Sequence, residues 1–205
     1  MKNEILSYWG VPLNGRFTDN NSNDTLCIIL PGIAYHLDRS YLDYSKKLAL
    51  SMKMDVFEME YGFQITRTSF DISSQFEILA SESISTILNI IKKPYKNYVI
   101  IAKSIGTCIQ VLLNKQLSSS LHNIKNIVIS PINKTVNLGI PQSSLVFTGL
   151  SDPWITLESI QKIRNINNIR LITIDNANHS LDIPGNVLKT LDILKENFLI
   201  IKDFL

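Results

Sequence analysis

Cysteine is scarce in this 205-residue sequence, which contains only Cys27 and Cys108, each within an apolar stretch. A disulfide framework would require more cysteines in a much shorter chain. Unpaired cysteines in apolar surroundings are typically buried. We therefore expect two buried free thiols and a reducing environment.

Long apolar runs and clusters of basic residues are also lacking. No segment approaches the roughly 18 apolar residues of a membrane-spanning helix, and residues 1–8 have no apolar core typical of a signal peptide. Lys and Arg are scattered and the formal net charge is only +2, whereas nucleic-acid-binding proteins usually carry a basic face. We expect a cytoplasmic protein without a membrane span or a nucleic-acid partner; the oligomeric state stays open.

Histidine is equally rare, with His36, His122 and His179 alone. The sequence contains no HExxH motif and no paired-cysteine motif, which are common sources of metal ligands. We expect no metal site and no cofactor. His122 precedes a predicted strand, at the edge of the sheet where active sites are not expected, and His36 follows the first apolar run.

From residue 24 onward, apolar runs alternate with amphipathic stretches, a pattern typical of strands separated by helices. The runs predict strands at 25–30, 54–60, 98–102, 124–129, 145–148 and 171–174, and the amphipathic stretches predict helices at 38–51, 72–92, 105–117, 156–164 and 186–203. Residues 11–17 look like a hairpin with an Asn-Gly turn. The chain length suits one domain. We predict a single α/β domain over residues 1–205, with a doubly wound, mostly parallel sheet flanked by helices.

Ser104 lies between an apolar strand and a helix, in the sequence Ala-Lys-Ser-Ile-Gly. This strand–turn–helix context is the one that a nucleophile elbow requires. The sharp turn needs small residues two positions away on either side, and Ala102 and Gly106 are both small, although glycine is usual at the first position. A serine before a helix is also commonly a simple cap. A phosphate-binding loop is excluded because Ala102 and Asn97 occupy its two glycine positions.

Asp152 and His179 also follow predicted strands. Taken singly, an Asp before Pro commonly forms a turn, and a loop histidine is commonly solvated. Their combination with Ser104 is more informative, because carboxyl ends of parallel strands meet at one edge of a sheet, where ligands bind. The order Ser, Asp, His is that of the α/β hydrolases and differs from the two common protease orders.

The sequence resembles the α/β-hydrolase superfamily over residues 24–205. Residues 149–152 resemble its acid loop and residues 178–181 its histidine loop. Residues 30–35 are similar to its oxyanion loop, with Pro31 in place of the usual histidine. The Lys-Ser pair at 103–104 resembles that of small, lidless members related to dienelactone hydrolases.

The resemblance implies Ser104 as nucleophile, His179 as general base and Asp152 as the acid that orients the histidine. It also implies an oxyanion hole made by the backbone N–H groups of Ile33 and Ile105. Three aromatic residues follow strand ends and are expected to line the substrate site: Tyr35, Tyr61 and Trp154. The connection at 131–144 is short and interrupted by proline and glycine, so we expect no cap domain.

Three functions remain open at this point. The first is a serine hydrolase that cleaves small ester, thioester or related acyl substrates through an acyl-enzyme. The second is a non-catalytic binding module with the same fold, and the third is an acyltransferase that uses the same triad. The sequence does not distinguish hydrolysis from transfer, because the difference depends on access of water to the site. It does not identify the acyl substrate either, because function depends on pocket detail.

Overall fold

The computed structural model describes residues 6–13, 15–22, 24–91, 93–118 and 123–205. Within these ranges, seven strands form one sheet: β1 (Arg16–Thr18), β2 (Thr25–Leu30), β3 (Asp55–Glu58), β4 (Asn97–Lys103), β5 (Asn123–Ile129), β6 (Ser144–Gly149) and β7 (Ile169–Ile174). Their order across the sheet is β1-β3-β2-β4-β5-β6-β7. Strands β2 to β7 run parallel, and β1 pairs antiparallel with β3 at the edge.

Helices cover both faces of this sheet, as parallel strands require. Seven helices are described: α1 (Ser40–Ser51), α2 (Gly62–Thr66), α3 (Ile72–Ile90), α4 (Ile105–Leu117), α5 (Asn133–Leu138), α6 (Leu157–Arg164) and α7 (Val187–Phe204). Helices α1 and α7 pack on one face, against Ile29, Ile101 and Ile129. Helices α3 and α4 pack on the other, against Ile28 and Ile100. The predicted doubly wound, mostly parallel sheet is confirmed.

The sheet changes its winding direction between β2 and β4. From β2 the chain passes to β3 on one side, and β4 then lies on the other side of β2. Loops after two such strands diverge and leave a crevice at their carboxyl ends, which is where α/β sheets bind ligands. Leu30 pairs with Ala102 in register. The segments that follow, beginning at Pro31 and Ser104, therefore flank this crevice.

Several local predictions were incomplete. The six apolar runs form strands β2 to β7, but the short helices α2 and α5 were not predicted. The helix predicted at 38–51 begins at Ser40, with Arg39 as an N-cap that provides no side-chain hydrogen bond. Arg16–Thr18 pairs with β3 rather than with residues 11–13, and Asn14 of the predicted hairpin turn lies outside the described residues. Cys27 and Cys108 are buried free thiols, as expected.

No helix in the described ranges has the length and apolar character needed to cross a membrane.

A buried carboxylate at the start of β3 fixes the edge of the sheet opposite the crevice. Asp55 has no exposed side-chain surface and accepts hydrogen bonds from the Tyr95 hydroxyl at 2.6 Å and Lys93 Nζ at 2.9 Å. The backbone N–H groups of Ser22 and Asn20 donate to its other oxygen. Burial alone would raise the pKa of Asp55, but these hydrogen bonds together lower it to about 2.

We predict that Asp55→Asn lowers the free energy of unfolding by about 3 kcal/mol at pH 7, because an amide cannot accept all four hydrogen bonds. The pKa of Asp55 is lower in the folded state, so its contribution is complete above about pH 4 and is lost as pH falls towards 2. Urea unfolding at pH 7 and pH 2.5 measures both effects. Asp43→Asn, at an exposed helical ion pair, is the control and should change little. Equal losses in the two variants would contradict this role.

Candidate active site

Ser104 occupies a backbone conformation that only glycine adopts freely, with φ 54° and ψ −120°. It joins β4 directly to α4, and its N–H donates to the Ile129 carbonyl at 3.0 Å. Helix α4 approaches the end of β2 so closely that a Cβ on Gly106 would lie 2.6 Å from the Pro31 carbonyl oxygen. Glycine at 106 is therefore required, and the tight turn presents the Ser104 side chain at the crevice.

The histidine loop is shaped by an asparagine. Asn178 Oδ1 accepts hydrogen bonds from the backbone N–H groups of Ser180 and Asp182, at 2.8 and 3.1 Å. The Asn178 N–H in turn donates to the Asp182 carbonyl at 3.0 Å. Asparagine favours such local turns because its side chain satisfies nearby backbone donors. These bonds fix the backbone on either side of His179.

The structure brings the three predicted side chains into one hydrogen-bonded chain. His179 Nε2 lies 2.7 Å from Ser104 Oγ, and His179 Nδ1 lies 2.6 Å from Asp152 Oδ2. An ionised carboxylate can only accept, so in the neutral imidazole the proton is on Nδ1 and Nε2 accepts from the serine hydroxyl. This tautomer leaves Nε2 ready to take the serine proton. The His179 side chain is 25% exposed, whereas that of Asp152 is fully buried.

The acid loop is locked against the histidine loop. A Cβ on Gly149 would lie 2.2 Å from the Ala177 carbonyl oxygen, so only glycine permits this approach. The Ser151 N–H donates to the same carbonyl at 3.0 Å. The second carboxylate oxygen of Asp152 accepts from the Trp154 N–H at 2.8 Å. Both carboxylate oxygens thus have partners, which holds Asp152 towards the imidazole.

The loop after β2 approaches Ser104 on its other side. A Cβ on Gly32 would lie 3.1 Å from Ser104 Cβ, which places the next peptide group beside the serine. Within the described residues, neither the Ile33 N–H nor the Ile105 N–H has a hydrogen-bond acceptor. The Ile105 N–H also lies at the positive end of the α4 dipole. Two free N–H groups near one serine are suited to stabilising an oxyanion.

Gln64 holds this loop in place and was not identified from the sequence. Its side-chain amide donates to the Gly32 carbonyl at 2.7 Å and to the Ile33 carbonyl at 3.2 Å. Both contacts orient the peptides around the free Ile33 N–H. Gln64 lies in the short helix α2, and no sequence motif marked it.

The three aromatic residues expected to line the substrate site differ in position. Trp154 is 61% exposed, and its ring centroid lies 6.3 Å from that of His179. Tyr35 is half-buried beside the elbow, with its ring centroid 5.0 Å from Lys103 Nζ. The prediction for Tyr61 is wrong, because it is fully buried and its hydroxyl donates to the Pro31 carbonyl at 3.0 Å. Tyr61 therefore supports the loop from within the core.

The other histidines are not part of this chain of hydrogen bonds. His36 is exposed and lines a cavity of about 470 Å³ beside the oxyanion loop. Gln64 and the charged residues Arg16, Asp38, Glu60 and Arg67 also line it. His122 lies outside the described residues. Among the described side chains, no group of three or more His, Cys, Asp or Glu is arranged to hold a metal ion.

Comparison with known proteins gives no sequence match: no family model and no curated protein matches this chain. Solved structures do match. An α/β hydrolase of unassigned function from Agrobacterium tumefaciens has a TM-score of 0.72 at 17% identity, covering 98% of this chain and 93% of its own. A lidless α/β serine hydrolase from Xanthomonas campestris has a TM-score of 0.68 at 12% identity, covering 94% and 88%.

The chain has the α/β-hydrolase fold.

A further structure with this fold, an esterase from Pyrococcus furiosus, matches with a TM-score of 0.67 at 17% identity, covering 98% of this chain and 89% of its own. The sequence predicts no cap domain at residues 131–144, the connection where α/β hydrolases often insert a helical lid. This segment contains only the six-residue helix α5. Within the described part of the chain, this connection therefore carries no helical lid.

We predict that Ser104→Gly is about 1 kcal/mol more stable than Ser104→Ala, because both remove the hydroxyl but only glycine relieves the positive φ. Ser81 is exposed within α3 and is the matched control, where Gly should be less stable than Ala by about 1 kcal/mol. Urea unfolding of the four variants measures the two differences. The same sign at both positions would show that Ser104 is unstrained.

Proposed function

We propose that this protein is a single-domain serine hydrolase that cleaves small ester, thioester or related acyl substrates. The observation that carries the proposal is the hydrogen-bonded chain from Ser104 Oγ through His179 to Asp152, at 2.7 and 2.6 Å. It lies beside two free backbone N–H groups at the crevice of the sheet. A serine that serves only as a helix cap requires none of these partners.

In the first step, Ser104 Oγ attacks the substrate carbonyl carbon while its proton passes to His179 Nε2. Asp152 accepts a hydrogen bond from Nδ1 throughout and stabilises the imidazolium. The carbonyl oxygen becomes an oxyanion that accepts from the N–H groups of Ile33 and Ile105. The tetrahedral intermediate collapses when Nε2 returns the proton to the leaving alcohol or thiol.

The second step removes the acyl group from Ser104. Nε2 of His179 takes a proton from water, the resulting hydroxide attacks the acyl-enzyme carbonyl, and the same two N–H groups stabilise the second oxyanion. Collapse returns the proton to Ser104 Oγ and releases a carboxylic acid. The side chain of His179 is 25% exposed, so water has access to the base, which favours hydrolysis over acyl transfer.

Substrate size is inferred from the surroundings of the site. The lidless connection at 131–144 leaves no additional apolar wall over Ser104. The cavity of about 470 Å³ that Gln64 and His36 line is not lined by Ser104, Asp152 or His179, so substrate size is not inferred from it. The missing wall favours a small acyl compound over a long-chain lipid, which a lid or apolar channel would have to cover. Esterase activity in the similar Pyrococcus furiosus structure is consistent with this class.

A fluorophosphonate probe tests the proposal, since it reacts with serine only when base and oxyanion donors are organised. We expect stoichiometric labelling at Ser104, detected by peptide mass spectrometry, and none in Ser104→Ala. Labelling of His179→Ala should slow by about 10³-fold, and that of Asp152→Asn by a similar or smaller factor. Asp175→Asn, at an exposed position after β7, is the control for charge loss and should label normally.

If several such probes fail to label folded wild-type protein, the catalytic interpretation is contradicted and a binding module is favoured. For labelled protein, a panel of p-nitrophenyl esters of increasing acyl length measures specificity. We expect kcat/KM to be highest for the acetyl to butyryl esters and to fall for longer chains. An optimum at long chains would contradict the inferred substrate size.

We predict that Gln64→Leu lowers kcat about tenfold with little change in KM, because the Ile33 N–H would be less well oriented. This loss is smaller than the 10²–10³-fold cost typical of deleting an oxyanion donor. Gln161→Leu, at an exposed position in α6, is the control and should leave kcat unchanged. Steady-state hydrolysis of p-nitrophenyl acetate measures both variants. A normal kcat in Gln64→Leu would show that the loop orients its N–H without this amide.

A further inference from the structure

Lys103 precedes the proposed nucleophile and has no exposed surface. It ends β4 on the sheet face occupied by Ile101, and pairs in register with Ile129. An apolar residue would fill this place without cost, whereas burying an ammonium group is expensive. A buried lysine next to an active serine therefore requires a reason beyond packing.

The ammonium group contacts two other loops of the site. Lys103 Nζ donates to the backbone carbonyl of His179 at 2.5 Å, and it lies 5.0 Å from the centroid of the Tyr35 ring. Within the described residues, that carbonyl accepts a hydrogen bond from Lys103 and from no other donor. The cation thus links the elbow to the histidine loop and to the loop after β2.

We propose that Lys103 is a positioning residue, whose buried ammonium group holds the His179 carbonyl so that the imidazole stays within reach of Ser104 Oγ. This inference rests on the proposed hydrolase function. Lys103 does not touch the substrate in this scheme; it acts through the backbone of the base. A displacement of about 1 Å in a catalytic group can lower the rate about 100-fold. Loss of the hydrogen bond from Lys103 to the His179 carbonyl is therefore expected to lower the rate strongly.

The charge on Lys103 is balanced between burial and nearby acids. Burial lowers the pKa of Lys103 to about 7, while the carboxylates of Asp152 and Asp182 oppose this shift. The groups that face it are on three loops: Asp152 after β6, His179 and Asp182 after β7, and Tyr35 after β2, with Arg39 near the same Tyr35 ring. A charged donor makes a stronger hydrogen bond than a neutral amine. The hold on His179 therefore weakens as pH rises through this ionisation.

Two variants test the proposal. Lys103→Met keeps the length of the side chain and removes both charge and donors, and Lys103→Gln keeps a neutral N–H donor. We expect Lys103→Met to lower kcat for p-nitrophenyl acetate about 100-fold with KM within twofold, and Lys103→Gln to lie between it and the wild type. The melting temperature of Lys103→Met should equal or exceed that of the wild type, because a buried charge is removed.

The pH profile supplies a second readout. The pH profile of the wild-type kcat should have a descending limb above about pH 7, where Lys103 becomes neutral. Lys103→Met should lack the descending limb. A descending limb that persists in Lys103→Met would assign it to another group and overturn the proposal.

A third readout does not depend on catalysis. The Nδ1 proton shared by His179 and Asp152 should give a downfield ¹H NMR signal in the wild type, and the signal should broaden or disappear in Lys103→Met. If the wild-type protein hydrolyses no ester but its NMR signal still disappears in Lys103→Met, only the proposed function is contradicted. If the wild-type protein is active and Lys103→Met is equally active, only the positioning role is contradicted. A lower melting temperature with full activity at low temperature would show that Lys103 is only structural.

Discussion

The backbone at Ser104 is the constraint on which the site depends. A positive φ at a residue with a side chain costs of order 1–3 kcal/mol and persists only where the surroundings impose it. Here β4 and α4 are both buried, and α4 is pressed against the end of β2 at Gly106. Relaxing Ser104 would pull a strand or a helix out of the core. The same close packing brings the loop after β2, at Gly32, beside Ser104.

Sheet topology then brings the remaining groups to the crevice. Asp152 follows β6 and His179 follows β7, and these neighbouring strands pair over their full length up to Gly149. The contact between Gly149 and the Ala177 carbonyl leaves no gap between their loops. The loop after β7 carries His179 back to Ser104, where its Nε2 lies 2.7 Å from the serine hydroxyl. Hydrogen bonds of 2.6 and 2.7 Å follow from backbone packing combined with local turns.

Sequence patterns were sufficient for strands β2 to β7 and the five longer helices, because buried parallel strands are continuous apolar runs. They were also sufficient to predict that Ser104, Asp152 and His179 lie close together, because the loops that follow parallel strands share one edge of the sheet. The failures have a common cause. Tyr61 follows a strand end as pocket residues do, but it is fully buried, and its ring stacks on Phe63, which in turn stacks on Phe70. Gln64 acts through contacts with a loop distant in sequence. Such roles depend on tertiary packing, which a local sequence pattern does not predict.

Lys103 was visible in the sequence but its environment was not. A lysine after four apolar strand residues is usually the point where a strand reaches solvent, yet this one is fully buried. A protein selected for stability alone would place an apolar side chain there, since replacing buried charges with apolar groups is often stabilising. The buried ammonium group of Lys103 and the strained backbone of Ser104 each lower the stability of the folded state, and the two residues are adjacent. Such local sacrifices are typical of functional sites. Both residues contact His179, since Ser104 Oγ lies 2.7 Å from its Nε2 and Lys103 donates to its backbone carbonyl.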